Sequence, residues 1–198
     1  PVGTTRLTPA LAPPTPEGRV GRLGEHVAKL GFPLTPAKVA RLDADRAALP
    51  ATLPIAWLLG VTWVRAGTPA TLASVINLAH DVVRELGGVF DELSETGATF
   101  VFFGLGSQGA CVLAAQELRE RVEAFADGRA EAPSLACAMT GGRLQADPDH
   151  PVTGDAVGAL ASLLGRAQPG QVLLARNLAP CLGTIQLEPA VISPNLIT

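Results

Sequence analysis

The sequence contains no tyrosine, and aromatic residues make up only 4% of its 198 residues. So few aromatic side chains offer no stacking platform for single-stranded nucleic acid. Neither sign of charge is in large excess, because 15 Lys and Arg residues nearly balance 18 Asp and Glu residues, giving a formal net charge of −3. Nucleic-acid binding depends largely on positive charge, so we expect no nucleic-acid partner.

Long apolar runs are absent as well. A membrane-spanning helix needs a run of about 18 or more apolar residues, and no segment of the chain contains one. We therefore expect no membrane contact through this chain and a cytoplasmic location.

Cysteine and histidine are few and scattered. The cysteines Cys111, Cys137 and Cys181 form no CxxC pair, and none of the histidines belongs to an HExxH motif. A structural zinc site would need ligand pairs that lie closer together in sequence. The spacing favours reduced, buried cysteines that act as small apolar side chains, and we expect neither a bound metal ion nor a cofactor.

The remaining composition is that of a globular protein, with 47% hydrophobic and 17% charged residues. Residues 1–18 are rich in Pro and Thr, which is typical of a flexible linker. Two helical patterns in 19–53 form a lead-in to a domain at 54–188, and 189–198 form a C-terminal tail. The start at Pro1 and the abundant Ala, Gly and Arg lead us to expect a piece of a larger bacterial signalling protein.

Periodicity and turn residues predict the elements of the domain. The predicted strands are 55–63, 89–94, 98–104, 134–142, 171–175 and 184–188. The predicted helices are 68–86, 108–126, 155–166 and a short one at 176–182, and 143–151 are predicted to be a polar loop. Helices interrupt hairpins in this order, so we predict an α+β fold of the ferredoxin-like kind, with an antiparallel sheet covered by helices.

Three stretches carry a resemblance to a known family. They are GGVFDELSETGATFVFFG (87–104), the helix ending in RERVEAF with the strand SLACAMTGG (134–142), and VTGDAVGALASLLGRAQPGQVLLA (152–175). Together they resemble the catalytic domains of class III adenylate and guanylate cyclases over residues 54–188. The resemblance implies the fold named above and a domain that dimerises, with the active site at the subunit boundary.

The same resemblance implies where the catalytic metal ligands should lie. Such enzymes hold two metal ions on the nucleotide triphosphate with two Asp residues. The matching positions here are Gly60 in the first strand and Thr96 in the hairpin turn. No Asp occurs between Asp45 and Asp81, so a small shift in alignment cannot restore the first ligand.

The other functional positions of the family are also changed. The Lys that reads the purine would be Glu92, and its partner would be Pro151. The Asn and Arg that steady the ribose and the transition-state phosphate would be Gly158 and Ser162. The resemblance therefore implies a degenerate, pseudoenzyme-like domain in which neither half of a shared active site is complete.

A glycine pattern offers a different interpretation. Gly104, Gly106 and Gly109 form GxGxxG between a predicted strand and a predicted helix, the local setting of a dinucleotide-binding fingerprint. However, the next strand, SLACAMTGG, does not end in the acidic residue that would bind the ribose. The structural alternative is a flexible loop between the strand and the helix.

Three functions remain open from the sequence. The first is a catalytically inactive regulatory module that acts through homodimerisation or a protein partner. The second is a sensor that binds a small ligand or a nucleotide without turnover. The third is an active purine nucleotidyl cyclase with non-standard residues, which the loss of both metal carboxylates disfavours.

Overall fold

A computed structural model describes residues 17–64, 67–127, 133–147 and 150–176. Its helices are α1 (Glu17–Leu30), α2 (Pro36–Ala47), α3 (Pro69–Glu85), α4 (Ser107–Ala126) and α5 (Asp155–Leu164). Its strands are β1 (Thr52–Trp63), β2 (Val89–Leu93), β3 (Gly97–Phe103), β4 (Leu135–Asp147), β5 (His150–Thr153) and β6 (Val172–Leu174).

The strands form one sheet in the order β2-β3-β1-β4-β5, and every neighbouring pair along this path is antiparallel. The strand β6 pairs with β4 in parallel. From β1 to β4 the elements follow the order β–α–β–β–α–β, which is that of a ferredoxin-like fold. The predicted α+β class, with its antiparallel sheet covered by helices, is confirmed.

Two helices begin at the Thr-Pro pairs that the sequence marks. The Thr35 side chain accepts a hydrogen bond from the Lys38 backbone N–H at 3.2 Å, and Pro36 follows at the first helical position. Thr68 caps α3 in the same way, through the backbone N–H of Thr71. The cap satisfies a backbone donor that would otherwise lack a partner, and proline is preset for the first helical turn.

The sheet separates two apolar cores. The larger core contains side chains of α1, α2, α3 and α4 packed on one face, including Leu59, Phe100 and Leu118. The smaller core lies on the opposite face, where α5 and β5 cover Leu58 and Val101. Along β1, β3 and β4, neighbouring residues therefore belong to different cores, as the twofold period of a strand requires.

The lead-in helices contribute to the larger core. Leu23 and Val27 of α1 and Val39 and Leu42 of α2 are buried in it. In addition, the His26 ring Nε2 lies 2.8 Å from the carbonyl oxygen of Leu93, at the end of the edge strand β2. The division of the chain at residue 53 stays a prediction, but these helices share their apolar contacts with the sheet.

A buried histidine joins α2 to α3. The Lys38 ammonium lies 2.8 Å from Nδ1 of His80, and Asp45 Oδ2 lies 2.7 Å from Nε2. Because an ammonium can only donate, Nδ1 must accept and Nε2–H donates to Asp45. The Lys38 ammonium also donates to Asp81, and although burial acts to raise the pKa of that carboxyl, the hydrogen bond and the positive charge of Lys38 act to lower it, and its pKa is lowered overall.

One predicted loop is wrong. Residues 143–151 continue β4 to Asp147 and then begin β5, so β4 is longer than expected and a strand was missed. The segment was predicted to be a loop because most of its residues are polar. Its polar residues in β4 are exposed, whereas Leu144 is fully buried. The predicted elements after residue 176, the tail, Cys181 and nearly all of 1–18 lie outside the described residues. Within the described part, none of the helices is both long and apolar enough to cross a membrane.

Candidate functional site

The position of the first expected metal ligand lies inside the sheet. Gly60 on β1 pairs with Thr99 on β3 and with Ala138 on β4, and Thr99 pairs in turn with Glu92 on β2. Gly60 and Glu92 therefore belong to one row across the sheet. Gly60 is buried, whereas Glu92 is exposed at the edge strand.

Helix α5 fills the space above Gly60. A Cβ atom added at this glycine would lie 2.7 Å from Cδ1 of Leu164 and 3.1 Å from both Cδ atoms of Leu160. Such distances are shorter than ordinary van der Waals contact, so one of these leucines must move before any side chain fits. The position therefore lacks a carboxylate, and a side chain placed there must displace the terminal methyl groups of Leu160 or Leu164.

The second expected metal position lies in the turn between β2 and β3. Thr96 is exposed there, and its carbonyl oxygen accepts hydrogen bonds from the Trp63 backbone N–H at 2.9 Å and the Thr62 hydroxyl at 2.8 Å. The register places Thr62, not Gly60, opposite the first residue of β3. The turn is thus fixed to the C-terminal end of β1, whereas Gly60 lies two residues before Thr62, away from the turn.

The remaining family positions lie on the outside of α5 and β5. Gly158 and Ser162 are exposed and four residues apart on α5, while Leu160 and Leu163 are buried on the helix face toward the sheet. Pro151 lies in β5 and is partly buried. The structure therefore brings Gly60 and Glu92 into one row but separates Gly158 and Ser162 from Gly60 by the thickness of α5.

The glycine pattern forms the tight turn from β3 into α4. Gly104 and Gly106 have φ angles of 90° and 77°, which favour glycine. The Ser107 hydroxyl braces the turn by donating to the Gly104 carbonyl oxygen at 2.7 Å, and Gly109 lies in the first turn of α4. Both neighbours of β3 are antiparallel, whereas the dinucleotide fingerprint occurs between adjacent parallel strands.

Sequence reasoning missed the buried carboxyl group of Asp91, next to Glu92. Asp91 is only 2% exposed, and its Oδ1 accepts the Val152 backbone N–H at 3.0 Å. Burial raises its pKa to about 6, although Arg46 nearby acts to lower it. Alternation gave no signal for its burial, because the pairing register of β2 shifts between Phe90 and Glu92 and the regular alternation of faces is broken at Asp91.

Asp91 also joins the two ends of the sheet. Its strand, β2, and the strand of Val152, β5, stand at opposite ends of the pairing order. The sheet curls far enough for one side-chain hydrogen bond to connect them. Arg46 and Asp43 on α2 lie close by, where Nε and Nη2 of Arg46 and Oδ2 of Asp43 are buried without a hydrogen-bond partner among the described residues.

The described residues contain no group of three or more His, Cys, Asp or Glu side chains arranged to hold a metal ion. Cys111 and Cys137 are fully buried and reduced, and burial raises the pKa of both thiols. These two cysteines therefore act as small apolar side chains, as the sequence predicts. The clearest polar feature near the expected positions is the Asp91 carboxyl, which accepts the Val152 backbone N–H.

Neither protein-family models nor curated protein sequences match this chain. Solved structures of similar fold include cyclase domains. The guanylate cyclase domain of RhGC from Catenaria anguillulae in complex with GTP has a TM-score of 0.60 at 13% identity, covering 68% of this chain and 85% of that one. The adenylyl cyclase CyaB from P. aeruginosa has a TM-score of 0.57 at 14% identity, covering 69% and 84%.

A third similar structure is the adenylate/guanylate cyclase/hydrolase from Silicibacter pomeroyi, with a TM-score of 0.52 at 19% identity over 65% of this chain and 80% of that one. At such identities the likeness concerns the fold alone. The chain has the fold of class III nucleotidyl cyclase catalytic domains, which confirms the fold that the sequence resemblance implies.

Proposed function

We propose that this domain is a catalytically inactive relative of the nucleotidyl cyclases that acts as a regulatory protein-interaction module, as a homodimer or with a protein partner. The observation that carries the proposal is the state of residue 60. It is a glycine where a metal carboxylate would be required, and Leu160 and Leu164 occupy the volume that such a carboxylate would need.

The chemistry of cyclisation explains why this position matters. Metal ions neutralise the triphosphate, stabilise the leaving pyrophosphate and activate the attacking hydroxyl. Electrostatic stabilisation of this kind is usually the largest single contribution to catalysis. Thr96, the second expected ligand, offers a hydroxyl instead of a carboxylate, so neither position supplies the negative charge that a divalent ion requires.

Exposed apolar side chains support the interaction role. Ile55 is 69% exposed and Leu105 is 108% exposed, and both lie at the end of the sheet where β3 passes into α4. Their exposed apolar surface contributes little to this fold and would be covered by a partner that binds at this end of the sheet. A guanylyl cyclase domain of the RhoGC fusion protein, with a similar fold, has been crystallised both as a monomer and as a dimer.

Turnover is tested by incubating the purified domain with ATP or GTP in the presence of Mn²⁺ or Mg²⁺ and quantifying cyclic nucleotide by mass spectrometry. An active cyclase domain of the same fold serves as the positive control. We expect no product above the rate without protein. Product that disappears on addition of EDTA would contradict the proposal and identify an active cyclase with non-standard ligands.

The interaction role is tested separately by sedimentation across a concentration series, with Leu105→Asp as the interface variant and Gln168→Glu, an exposed polar position at the other end of the sheet, as its control. If the domain is a homodimer through the end of the sheet near Leu105, Leu105→Asp alone shifts it to monomer. A strictly monomeric wild type that binds no protein partner but does bind a nucleotide would favour the sensor function instead.

A further inference from the structure

We propose that β5 and α5, residues 150–164, form a lid that opens from the sheet as one unit while the larger core stays folded. The lid covers the sheet face that contains Gly60. The inference goes beyond the proposed function and does not depend on it, because opening can be measured without any assay of activity or partner binding.

The two cores make such an opening possible. The side chains under the lid, among them Leu58, Val101 and Leu144, belong to the smaller core and are separated by the sheet from the larger one. Cooperative units of lower stability than the whole molecule often coincide with one supersecondary motif. Loss of the lid contacts therefore leaves the packing of α3 and α4 on the opposite face unchanged.

Helix α5 is weak by itself. It has 10 residues, and isolated helices shorter than about 12–15 residues are marginal in water. Its N-cap is Gly154, which provides no side-chain hydrogen bond, and Gly158 stands in its interior, where glycine is unfavourable relative to alanine. The helix therefore depends on its contacts with the sheet to remain formed.

Gly154 joins β5 to α5. Its φ angle is 144°, a conformation that favours glycine, and an added Cβ would collide with the backbone carbonyl oxygen of Arg143 on β4. The junction between the two elements therefore lies close against β4 when the lid is closed. Because Gly154 connects β5 directly to the helix, we expect the two to leave the sheet together.

The lid is held closed by the apolar packing of α5 on β1 and β4, by the pairing of β5 with β4 and by a side-chain hydrogen bond. The Asp91 carboxylate accepts the Val152 backbone N–H at 3.0 Å, which fastens β5 to β2. Leu160 and Leu164 rest on Gly60, where the absence of a side chain lets α5 approach closely. Arg46 from α2 and Glu92 on the same strand are the charged groups that act on Asp91. Release of these contacts uncovers an apolar strip of the sheet that a partner can contact.

Native-state hydrogen exchange in low urea tests the lid. We expect the α5 amides to exchange at least tenfold faster than those of α3 and α4, with a weaker urea dependence, since little surface is exposed on lid opening. The tightening variant is Gly158→Ala, whose added Cβ has open space around it. It should slow α5 exchange about fivefold. Gly24→Ala, in the interior of α1, is the matched control and should leave α5 exchange unchanged.

The decisive variant lies in the larger core. Leu118→Ala destabilises the folded state and the lid-open state equally, so it should accelerate exchange in α3 and α4 while α5 exchange stays within twofold of wild type. If Leu118→Ala does not fold, Val122→Ala on the same helix is the milder substitute. Acceleration of α5 exchange by the same factor as α3 and α4 would overturn the proposal, because the lid would then open only on global unfolding.

Discussion

Asp91 experiences opposing influences on its charge. Burial disfavours its charged form, whereas the hydrogen bond from the Val152 N–H and the charge of Arg46 favour it, and burial prevails because the pKa is raised from 3.8 to about 6. At a pH between these two pKa values, Asp91 is mostly protonated in the folded state and mostly ionised in the unfolded state. The free energy of unfolding therefore falls as the pH rises through about 4 to 6 and is fully reduced above that window.

The variant Asp91→Asn removes this charge but keeps an oxygen that accepts the Val152 N–H. We expect it to raise the free energy of unfolding at pH 7.5 by about 1–3 kcal/mol and to change it little at pH 4. Urea denaturation at the two pH values measures the difference. Glu92→Gln, on the exposed neighbour, is the control, and an equal effect of Asp91→Asn at both pH values would contradict the raised pKa.

The close packing of α5 on Gly60 leads to a prediction about the stability of variants at this position. Gly60→Ala must displace Leu160 or Leu164, so we expect it to lower the free energy of unfolding by about 1–3 kcal/mol. Gly60→Asp adds a buried carboxylate and should cost about 2 kcal/mol more than the alanine variant. Urea denaturation gives both values, and titration calorimetry with Mn²⁺ should detect no binding to Gly60→Asp. A stable, Mn²⁺-binding Gly60→Asp variant would contradict the packing.

Local chemistry in the sequence specifies most elements, and tertiary contacts specify the others. Helix α3 was predictable because Thr68 and Pro69 mark its start and its apolar stripe has helical spacing. Strand β5 was not, since its four residues carry too few alternations to distinguish a strand from a loop. Its pairing depends on β4 and on Asp91, which lies 61 positions away from Val152 in sequence.

The lead-in helices provide a prediction at the scale of elements. Leu42 on α2 is fully buried in the larger core, whereas Leu105 is fully exposed. Leu42→Ala should therefore lower the free energy of unfolding by about 2–4 kcal/mol, while Leu105→Ala should change it by less than about 0.5 kcal/mol. Chemical denaturation of both variants checks this. Equal, small effects would mean that α2 does not share the cooperative core of the sheet.

At the scale of the whole molecule, part of the site could be predicted and part could not. The absence of carboxylates at Gly60 and Thr96 is visible once the resemblance fixes the alignment. That α5 fills the space above Gly60 is not visible, because it depends on how residues 160 and 164 meet a strand about 100 positions earlier. Under the proposed function, the missing carboxylate and the leucine side chains above Gly60 are two separate obstacles to metal binding, so we expect that reversing one of them leaves the other.

From these two obstacles we predict how the thermal stability of the protein changes when nucleotides and metal ions are added. A ligand at a hundredfold excess over its Kd stabilises the folded state by about 2.7 kcal/mol, which for a chain of this size corresponds to a rise in Tm of about 5–10 °C. We expect no such rise with ATP, GTP, cyclic AMP, cyclic GMP or NAD, with Mn²⁺ or with EDTA. A Mn²⁺-dependent rise with ATP or GTP would contradict the loss of the metal site and require turnover to be measured again. A rise with a cyclic nucleotide alone, unaffected by EDTA, would point to a sensor, because binding without a metal needs neither carboxylate. A rise with NAD alone would direct attention to the glycine turn before α4.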